Sequence, residues 1–370
     1  MEHPRSITAI QTASILVSTI IGVGVLPLPL FAVEAADSGG PLVTLVAVLL
    51  SFAGLSIITV LGMRFPHQSI VEYSEKVIGK WPAWIGSMLI IAFFAVLTSL
   101  TAREFGEVVV TSVLKKTPVE ITVIVMLLLA AISTRNSIAT FSYIHFFYFP
   151  LLLWPALFIV ALSLKNADVL NLQPIWGNKP KDFLGGVITI AALLQGSFIL
   201  TIVIPRMRRP EKALISSLIG LTIAGGLYVI IVAATVSVFG AEEIKQLLWP
   251  TLELAKATSL PANVLERLDA AFLAVWVTAV FTTLLSSYFL TIYALRQLLR
   301  LQEHKMFAFF LLPFVFVMAM LPQNIVQMYD IIEIVGRIGL FLTIGYPALL
   351  LLVSILRGKR GKRHGESSSL

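Results

Sequence analysis

Long apolar stretches separated by short polar segments follow one another along this chain of 370 residues. A helix needs about 20 apolar residues to cross the hydrocarbon core of a bilayer. A β-barrel would instead show alternating segments of about ten residues, so the pattern predicts an all-α polytopic membrane protein with ten transmembrane helices. The predicted spans are 7–36, 42–63, 84–110, 119–133, 143–164, 183–205, 213–239, 264–298, 307–321 and 331–356.

The first predicted span is interrupted at its middle by glycines and prolines, in the segment STIIGVGVLPLPLF (18–31). Gly22 and Gly24 each cost a helix about 1 kcal/mol, and an interior proline such as Pro27 costs about 3 kcal/mol. Irregular backbone at membrane depth is tolerated only where protein buries it or where it lines a wet cavity. The segment therefore predicts a broken helix of the kind that transporters place around a midplane site.

A second break is expected five spans later, because such transporters are built from inverted repeats. The sixth span contains one polar, flexible island, Gln195-Gly196-Ser197. The sequence thus predicts a transmembrane domain over 1–356 with two five-helix halves, 7–164 and 183–356, and with helices 1 and 6 broken. Close packing between helices is the alternative explanation for the glycines.

Composition and charge agree with a membrane protein, since 58% of the residues are hydrophobic, 13% are charged and the mean hydropathy is +0.93. Lys and Arg flank the spans with an asymmetry of about two to one, which predicts that both termini lie in the cytoplasm. A disordered basic tail is predicted over 357–370. A cleavable signal peptide over 1–36 is a minor alternative, because span after span follows it.

Enzyme chemistry finds no support in the sequence. The chain has no cysteine, which excludes disulfides and thiolate metal sites. No His–carboxylate cluster has the spacing of a metal site, and neither a phosphate loop nor a nucleophile elbow is present. We therefore expect no catalytic residue, no cofactor, no metal ion and no nucleic-acid partner.

Several short segments carry a family resemblance: GVGVLPLP (22–29), GKWPAWIGS (79–87), TARE (101–104), LLWPTLELAK (247–256) and ERLDAAFLAVW (266–276). They resemble the endospore germination permease family, the B subunits of nutrient germinant receptors in the amino acid–polyamine–organocation superfamily. The resemblance implies a leucine-transporter-type fold of two inverted five-helix halves. It also implies residence in the spore inner membrane, beside an A subunit and a lipoprotein C subunit.

The resemblance implies a ligand site at the two helix breaks. In this fold, N–H groups at the unwound first helix take a ligand carboxylate, and carbonyls freed around 19–22 and 195–197 accept an ammonium group. Gln195 is the preferred side-chain ligand, because an amide both donates and accepts. For the residues of helices 3 and 8, packing is an equally good explanation. The predicted ligand-binding residues are Gly22, Val23, Gly24, Val25, Gln195, Gly196, Ser197, Phe94, Thr98, Thr282, Thr283 and Tyr288.

Five ionisable residues lie inside predicted spans, where such groups are functional candidates by default. Arg103 and Glu107 are four residues apart, as are Glu333 and Arg337, so each pair can neutralise itself on one helical face. Glu104 lies beside the first pair. Two roles remain open for these residues: structural neutralisation, and a part in gating or in a water path. His145 is predicted to be a polar anchor near a helix end.

Two functions from different classes remain. The first is a receptor subunit, in which nutrient binding shifts a conformational equilibrium that partner subunits detect. The second is an autonomous amino acid permease. The resemblance favours the receptor, and so does the lack of the fifth-span lysine found in proton-coupled relatives. A small apolar amino acid such as alanine or valine is the predicted germinant, since no charged side chain is expected to face the pocket; a nucleoside or sugar stays open.

Overall fold

The computed structural model describes residues 6–177, 182–258 and 268–361, the side chains of 268–270 excepted. Among these residues the regular structure is helical, apart from one isolated bridge between Ile7 and Met207. By length and apolar composition six helices can cross a membrane, and a bent pair makes a seventh. Three shorter apolar helices, Ala9–Ile20, Val119–Thr134 and Lys305–Ala319, accompany them.

The first half of the chain contains five predicted spans and seven helices. The second helix, α2, continues the first span after its break, and α4 is a short amphipathic helix between the second and third spans. The bounds are α1 Ala9–Ile20, α2 Leu28–Ala36, α3 Gly40–Arg64, α4 Ile70–Ile78, α5 Lys80–Ser112, α6 Val119–Thr134 and α7 Ile138–Ser163.

The second half repeats this plan, with a break in its first span and a short helix, α11, before the eighth span. A π-helical segment, Phe341–Gly345, interrupts the last span. The bounds are α8 Phe183–Leu193, α9 Leu200–Val203, α10 Ala213–Ile244, α11 Pro250–Ala257, α12 Leu268–Leu298, α13 Lys305–Phe310, α14 Leu312–Ala319, α15 Ile325–Leu340 and α16 Tyr346–Leu356.

Both predicted breaks are present. Between α1 and α2 a 3₁₀ turn occupies Val23–Val25, and between α8 and α9 another occupies Gln195–Ile199. The two parts of the sixth span are bent by 42°. Pro27 and Pro29 lie at the start of α2, where a missing N–H leaves no helical hydrogen bond unmade. The prolines therefore begin a second half-helix, and the interior-proline penalty does not arise.

Several boundaries differ from the prediction because polar caps extend the helices beyond their apolar stretches. α15 begins at Ile325 and not at residue 331, since the Asn324 side chain accepts a hydrogen bond of 2.8 Å from Gln327 N. α7 begins at Ile138 and not at residue 143, because Ser137 caps it. The predicted start of the eighth span, 264–267, lies outside the described residues. The pattern of apolar stretches does not predict α4 and α11, because these helices are too short and too polar to cross a membrane.

Both ends of the described chain lie on one side of the bundle. On one face, Ser6 N and Ile7 N both donate to Arg206 O over 3.1 Å. On the same side Arg64 Nε donates to Lys359 O over 2.8 Å, so the chain after α16 lies against the end of α3. The remainder of the predicted tail, 362–370, lies outside the described residues. We call this side, which carries both ends of the described chain, the terminal face.

Candidate functional site

A cavity of about 90 Å³ lies where the two helix breaks face α5, α12 and α15. One water molecule needs roughly 10–15 Å³ of such space, so the cavity has room for a ligand the size of a small amino acid. Six predicted ligand residues line it: Val23, Gly24, Phe94, Gln195, Gly196 and Thr283. We call it the central cavity.

The other six predicted ligand residues do not line this cavity. In α12 the lining positions Thr283, Ser286, Ser287 and Leu290 repeat at helical spacing, which leaves Tyr288 on another face. On that other face the Tyr288 hydroxyl donates to Ala308 O over 2.5 Å. The non-lining residues are Gly22, Val25, Ser197, Thr98, Thr282 and Tyr288.

Thr98 and Gly22 do not line the central cavity, but each contacts a residue of α12 that does. The Thr98 hydroxyl donates to Ser287 Oγ over 2.9 Å and is buried between α5 and α12. At Gly22 an added Cβ would lie 2.7 Å from the Cβ of Thr283, so only glycine lets α12 approach the first break this closely. These two positions therefore fix the distance between the lining helices.

Carbonyl groups freed by the first break receive hydrogen bonds from neighbouring helices. Thr283 Oγ1 donates to Thr19 O over 3.0 Å, and the Tyr228 hydroxyl donates to Ile20 O over 2.8 Å. Two of the predicted partners of a ligand ammonium, Thr19 O and Ile20 O, thus already have donors within the protein. Two further bonds of this kind run from Thr282 Oγ1 to Ser18 O, 2.9 Å, and from Thr251 Oγ1 to Val25 O, 2.7 Å.

Gln195 connects the second break to the last span. Its Nε2 donates to Gly336 O over 2.6 Å, and its Oε1 accepts from Thr343 Oγ1 over 3.4 Å. Thr343 lies in the π-helical segment, a feature frequent at functional sites. The side chain that sequence analysis favours as a ligand therefore lines the cavity while holding a second helix.

Two carboxylates line the central cavity, so the expectation that no charged side chain faces it is wrong. Glu333 is paired with Arg337 at 2.5 Å, as its spacing predicts. Glu104 is only 3% exposed, and in the described part of the chain no cation is paired with it. Its neighbour Arg103 instead pairs with Glu107 at 2.7 Å, and one residue along a helix turns the side chain by about 100°.

A short chain of hydrogen bonds leads from Glu104 to α11. The Tyr329 hydroxyl donates to Glu104 Oε1 over 3.2 Å, and Trp249 Nε1 donates to that hydroxyl over 2.8 Å. Trp249 and Thr251 belong to the Trp-Pro-Thr segment at the start of α11, which also binds the first break at Val25 O. Sequence analysis singles this segment out but gives no role to it, and it overlooks Tyr329 because nothing local marks that residue.

His145 is completely buried, which corrects the expectation of an anchor at a helix end. Its Nε2 lies 3.1 Å from Ser286 Oγ, and that hydroxyl lies 2.7 Å from Thr19 Oγ1. The imidazole thereby joins α7 to α12 and α1 directly behind the central cavity. A single histidine among aromatic residues gives no signal of such a network, because its ring partner Ser286 is 141 residues away and Thr19, the next member, is 126 residues away.

Solved transporters share this fold. The chain matches MhsT, solved in complex with L-phenylalanine, with a TM-score of 0.69 and 13% identity over 97% of this chain and 91% of that one. It matches Mhp1, a nucleobase-cation-symport-1 family transporter solved in a closed conformation with bromovinylhydantoin bound, with a TM-score of 0.64 and 14% identity over 95% and 79%. Identities this low establish the fold alone: a leucine-transporter-type bundle of two inverted halves.

Curated relatives point to one family. Spore germination protein YndE of Bacillus subtilis is 27% identical over 366 residues, 98% of this chain and 100% of its own length. Spore germination protein A2 of the same species is 24% identical over 76% of this chain and 78% of its own, and GerLB of Bacillus cereus is 22% identical over 93% of each. The family model described as "Spore germination protein" matches residues 6–328. The chain therefore belongs to the spore germination permease family.

Proposed function

We propose that this protein is the membrane subunit of a nutrient germinant receptor and that a small amino acid binds in the central cavity to trigger germination. The observation that carries the proposal is the buried carboxylate of Glu104, which lines a ligand-sized cavity between two helix breaks without a cationic partner. The names of the relatives supply the process, spore germination. The L-phenylalanine complex of MhsT supplies a precedent for an amino acid ligand within this fold.

The charges of the site fit the two ends of an amino acid. An ionised carboxylate buried without a cation is costly, and the ligand ammonium offsets that cost at Glu104. The ligand carboxylate lies at the first break, where Val23 and Gly24 face the cavity and backbone N–H groups bind anions. Glu333 does not compete for the ammonium, because Arg337 already neutralises it.

The walls of the central cavity favour a small apolar side chain. Phe94, Leu193 and Ile199 line it, and its volume of about 90 Å³ leaves little room beyond the amino acid backbone. Alanine and valine are the ligands that we propose. A nucleoside or a sugar would leave Glu104 without its cation.

The effect of a ligand bound at Glu104 is transmitted to α11 through Tyr329 and Trp249. A ligand ammonium at Glu104 competes with the Tyr329 hydroxyl, whose other partner is the indole of Trp249, directly before α11. A change at this link moves α11 against the first break. The ligand then shifts the equilibrium by its different affinity for the two arrangements.

We propose that partner subunits detect this shift: an A subunit and a lipoprotein C subunit in the spore inner membrane. The terminal face carries the excess of Lys and Arg, so it is assigned to the cytoplasm, which is the core side in a spore. We assign the chain no enzymatic step and no cofactor. Its role is to bind and to signal.

The test is deletion of the gene in a spore former that lacks its other germinant receptors. Dipicolinate release triggered by single amino acids is measured from the spores, and amino acid uptake is measured in growing cells. Loss of germination with intact uptake supports the receptor. Impaired uptake with unchanged germination overturns it in favour of the autonomous permease.

Complementation then tests the site. Wild-type protein should restore the response, whereas Glu104→Gln should raise the half-maximal nutrient concentration at least about tenfold, because a charge-assisted bond contributes about 1.5–3 kcal/mol. Glu120→Gln removes the same charge from an exposed position at the start of α6 and is the matched control. Equal responses from the two variants would remove Glu104 from the site.

A further inference from the structure

A second cavity, of about 510 Å³, opens on the terminal face, separate from the central cavity. Its walls are α4, the first turns of α5, the end of the sixth span and the last turns of α12. Five cations line it together with two carboxylates, Glu72 and Glu75, which gives a net charge of +3. The cations are Lys76, Lys80, Arg206, Arg296 and Arg300.

Both carboxylates already have donors. Arg300 Nη2 lies 2.9 Å from each oxygen of Glu75, so that pair neutralises itself. Glu72 Oε2 accepts from Ser69 N over 2.8 Å in the cap of α4. Among the described residues no ion pair involves the other four cations. The cavity therefore keeps an excess of positive charge that the protein itself does not balance.

Arg206 has an unsatisfied donor at the wall of this cavity. Its Nη2 donates to the Tyr293 hydroxyl over 2.7 Å, while its Nε is buried and has no acceptor. A buried donor without an acceptor costs about 1–3 kcal/mol in general. Arg296 lies nearby, with its guanidinium 5.7 Å from the centre of the Tyr293 ring. The guanidinium groups of Arg206 and Arg296 therefore both lie next to Tyr293 at the wall of the cavity.

We propose that this cavity binds a phosphate group. Arginine and lysine together, in excess over carboxylates, match a group that carries up to two charges on three or more acceptor oxygens. The first two turns of α5 place Trp84 at the rim and Trp81 near it, and these residues are 45% and 75% exposed. Exposed tryptophans at the end of a membrane span mark the headgroup level of a bilayer. The phosphate belongs either to an anionic lipid headgroup or to a soluble phosphate ester.

The experiment uses the purified full-length protein in detergent. Inorganic pyrophosphate is titrated calorimetrically, and native mass spectrometry counts phosphatidylglycerol and phosphatidylcholine retained from mixed micelles. The variants are Arg206→Gln/Arg296→Gln and, at two exposed positions, Lys76→Gln/Lys80→Gln. The control is Lys115→Gln/Lys116→Gln. It also removes two positive charges, but beyond the other end of α5 and away from the cavity.

We expect each cavity variant to bind about tenfold more weakly than the wild type or the control, since charged hydrogen bonds are lost. If the cavity variants lose pyrophosphate binding and the control keeps it, the cavity is a site for a soluble phosphate. If the cavity variants retain less phosphatidylglycerol but as much phosphatidylcholine as the control, the cavity is a lipid site. The proposal is overturned if the wild type binds neither probe, or if the control loses as much binding as the cavity variants.

Discussion

Trp249 and Tyr329 are 80 residues apart in the chain, yet the indole Nε1 of the first donates to the hydroxyl of the second over 2.8 Å. The ring of Tyr329 also meets Phe31 of α2 edge-on, with 6.0 Å between the ring centres. One tyrosine thus touches α11, the second half of the broken first span and, through its hydroxyl, Glu104 in the central cavity. These contacts make Tyr329 the point where a bound ligand and α11 can influence one another.

Trp249→Phe removes the indole donor while it keeps an aromatic ring over α11. We expect a loss of stability of about 0.5–1.5 kcal/mol, the net value of one hydrogen bond, and a higher half-maximal nutrient concentration in spores. A double-mutant cycle with Tyr329→Phe, based on thermal unfolding in detergent, should recover this energy as a coupling between the two residues. Trp154→Phe, at a position 73% exposed on α7, is the matched control.

Gly22→Ala tests the close approach of α12 to the first break. The new Cβ would meet the Thr283 hydroxyl, so Thr283 must move and its bond to Thr19 O must weaken. We expect a cost of about 1–3 kcal/mol and loss of the nutrient response. In Gly226→Ala nothing lies within 4 Å of the new Cβ, so that variant should respond normally and melt at the same or a higher temperature. Similar behaviour of the two variants would contradict this account.

Gln195→Leu tests the connection between the second break and the last span. Leucine keeps most of the volume but leaves Gly336 O without the donor that lies 2.6 Å away. We expect a loss of about 1–3 kcal/mol and no response to nutrient, in a protein that is still inserted and abundant by immunoblot. Gln246→Leu, at an exposed position after α10, is the control. A normal response from Gln195→Leu would show that this connection is dispensable.

The sequence predicts most of the fold because its signals are local. Apolar length marks the spans, and the glycines, the prolines and Gln195-Gly196-Ser197 mark both breaks where the structure has them. Half of the predicted ligand residues line the central cavity: four of the seven placed on the breaks, together with Phe94 and Thr283. Gly22, Val25 and Ser197 lie on the breaks as well but do not line it. Tyr288 fails on the helical spacing of α12.

The rest of the site depends on contacts between distant parts of the chain. Glu104 appears neutralised in the sequence, because Arg103 and Glu107 surround it, and only the direction of its side chain separates it from that pair. Tyr329 and His145 gain their roles from partners 141 or more residues away, apart from Trp249 at a separation of 80. Nothing in a single sequence fixes which distant hydroxyl will meet which carboxylate.

The pair of Arg103 and Glu107 offers a test of the two roles that sequence analysis leaves open, structural neutralisation and a part in gating or in a water path. Neither residue lines the central cavity, and their side chains are 9% and 14% exposed with 2.7 Å between the charged atoms. Removing one partner, as in Arg103→Met, leaves a buried charge and should cost about 3–5 kcal/mol, whereas replacing both by methionine should be close to neutral.

Protein abundance, thermal unfolding and nutrient response of the two variants are compared. If the pair only neutralises itself, as its position away from the cavity indicates, Arg103→Met/Glu107→Met restores both the abundance lost in Arg103→Met and the response. A double variant that is abundant but does not respond would instead place the pair in gating or in a water path. Glu104→Met removes a carboxylate that has no cationic partner among the described residues and accepts a hydrogen bond from Tyr329. It should abolish the response at a smaller cost in stability, about 0.5–1.5 kcal/mol for that hydrogen bond.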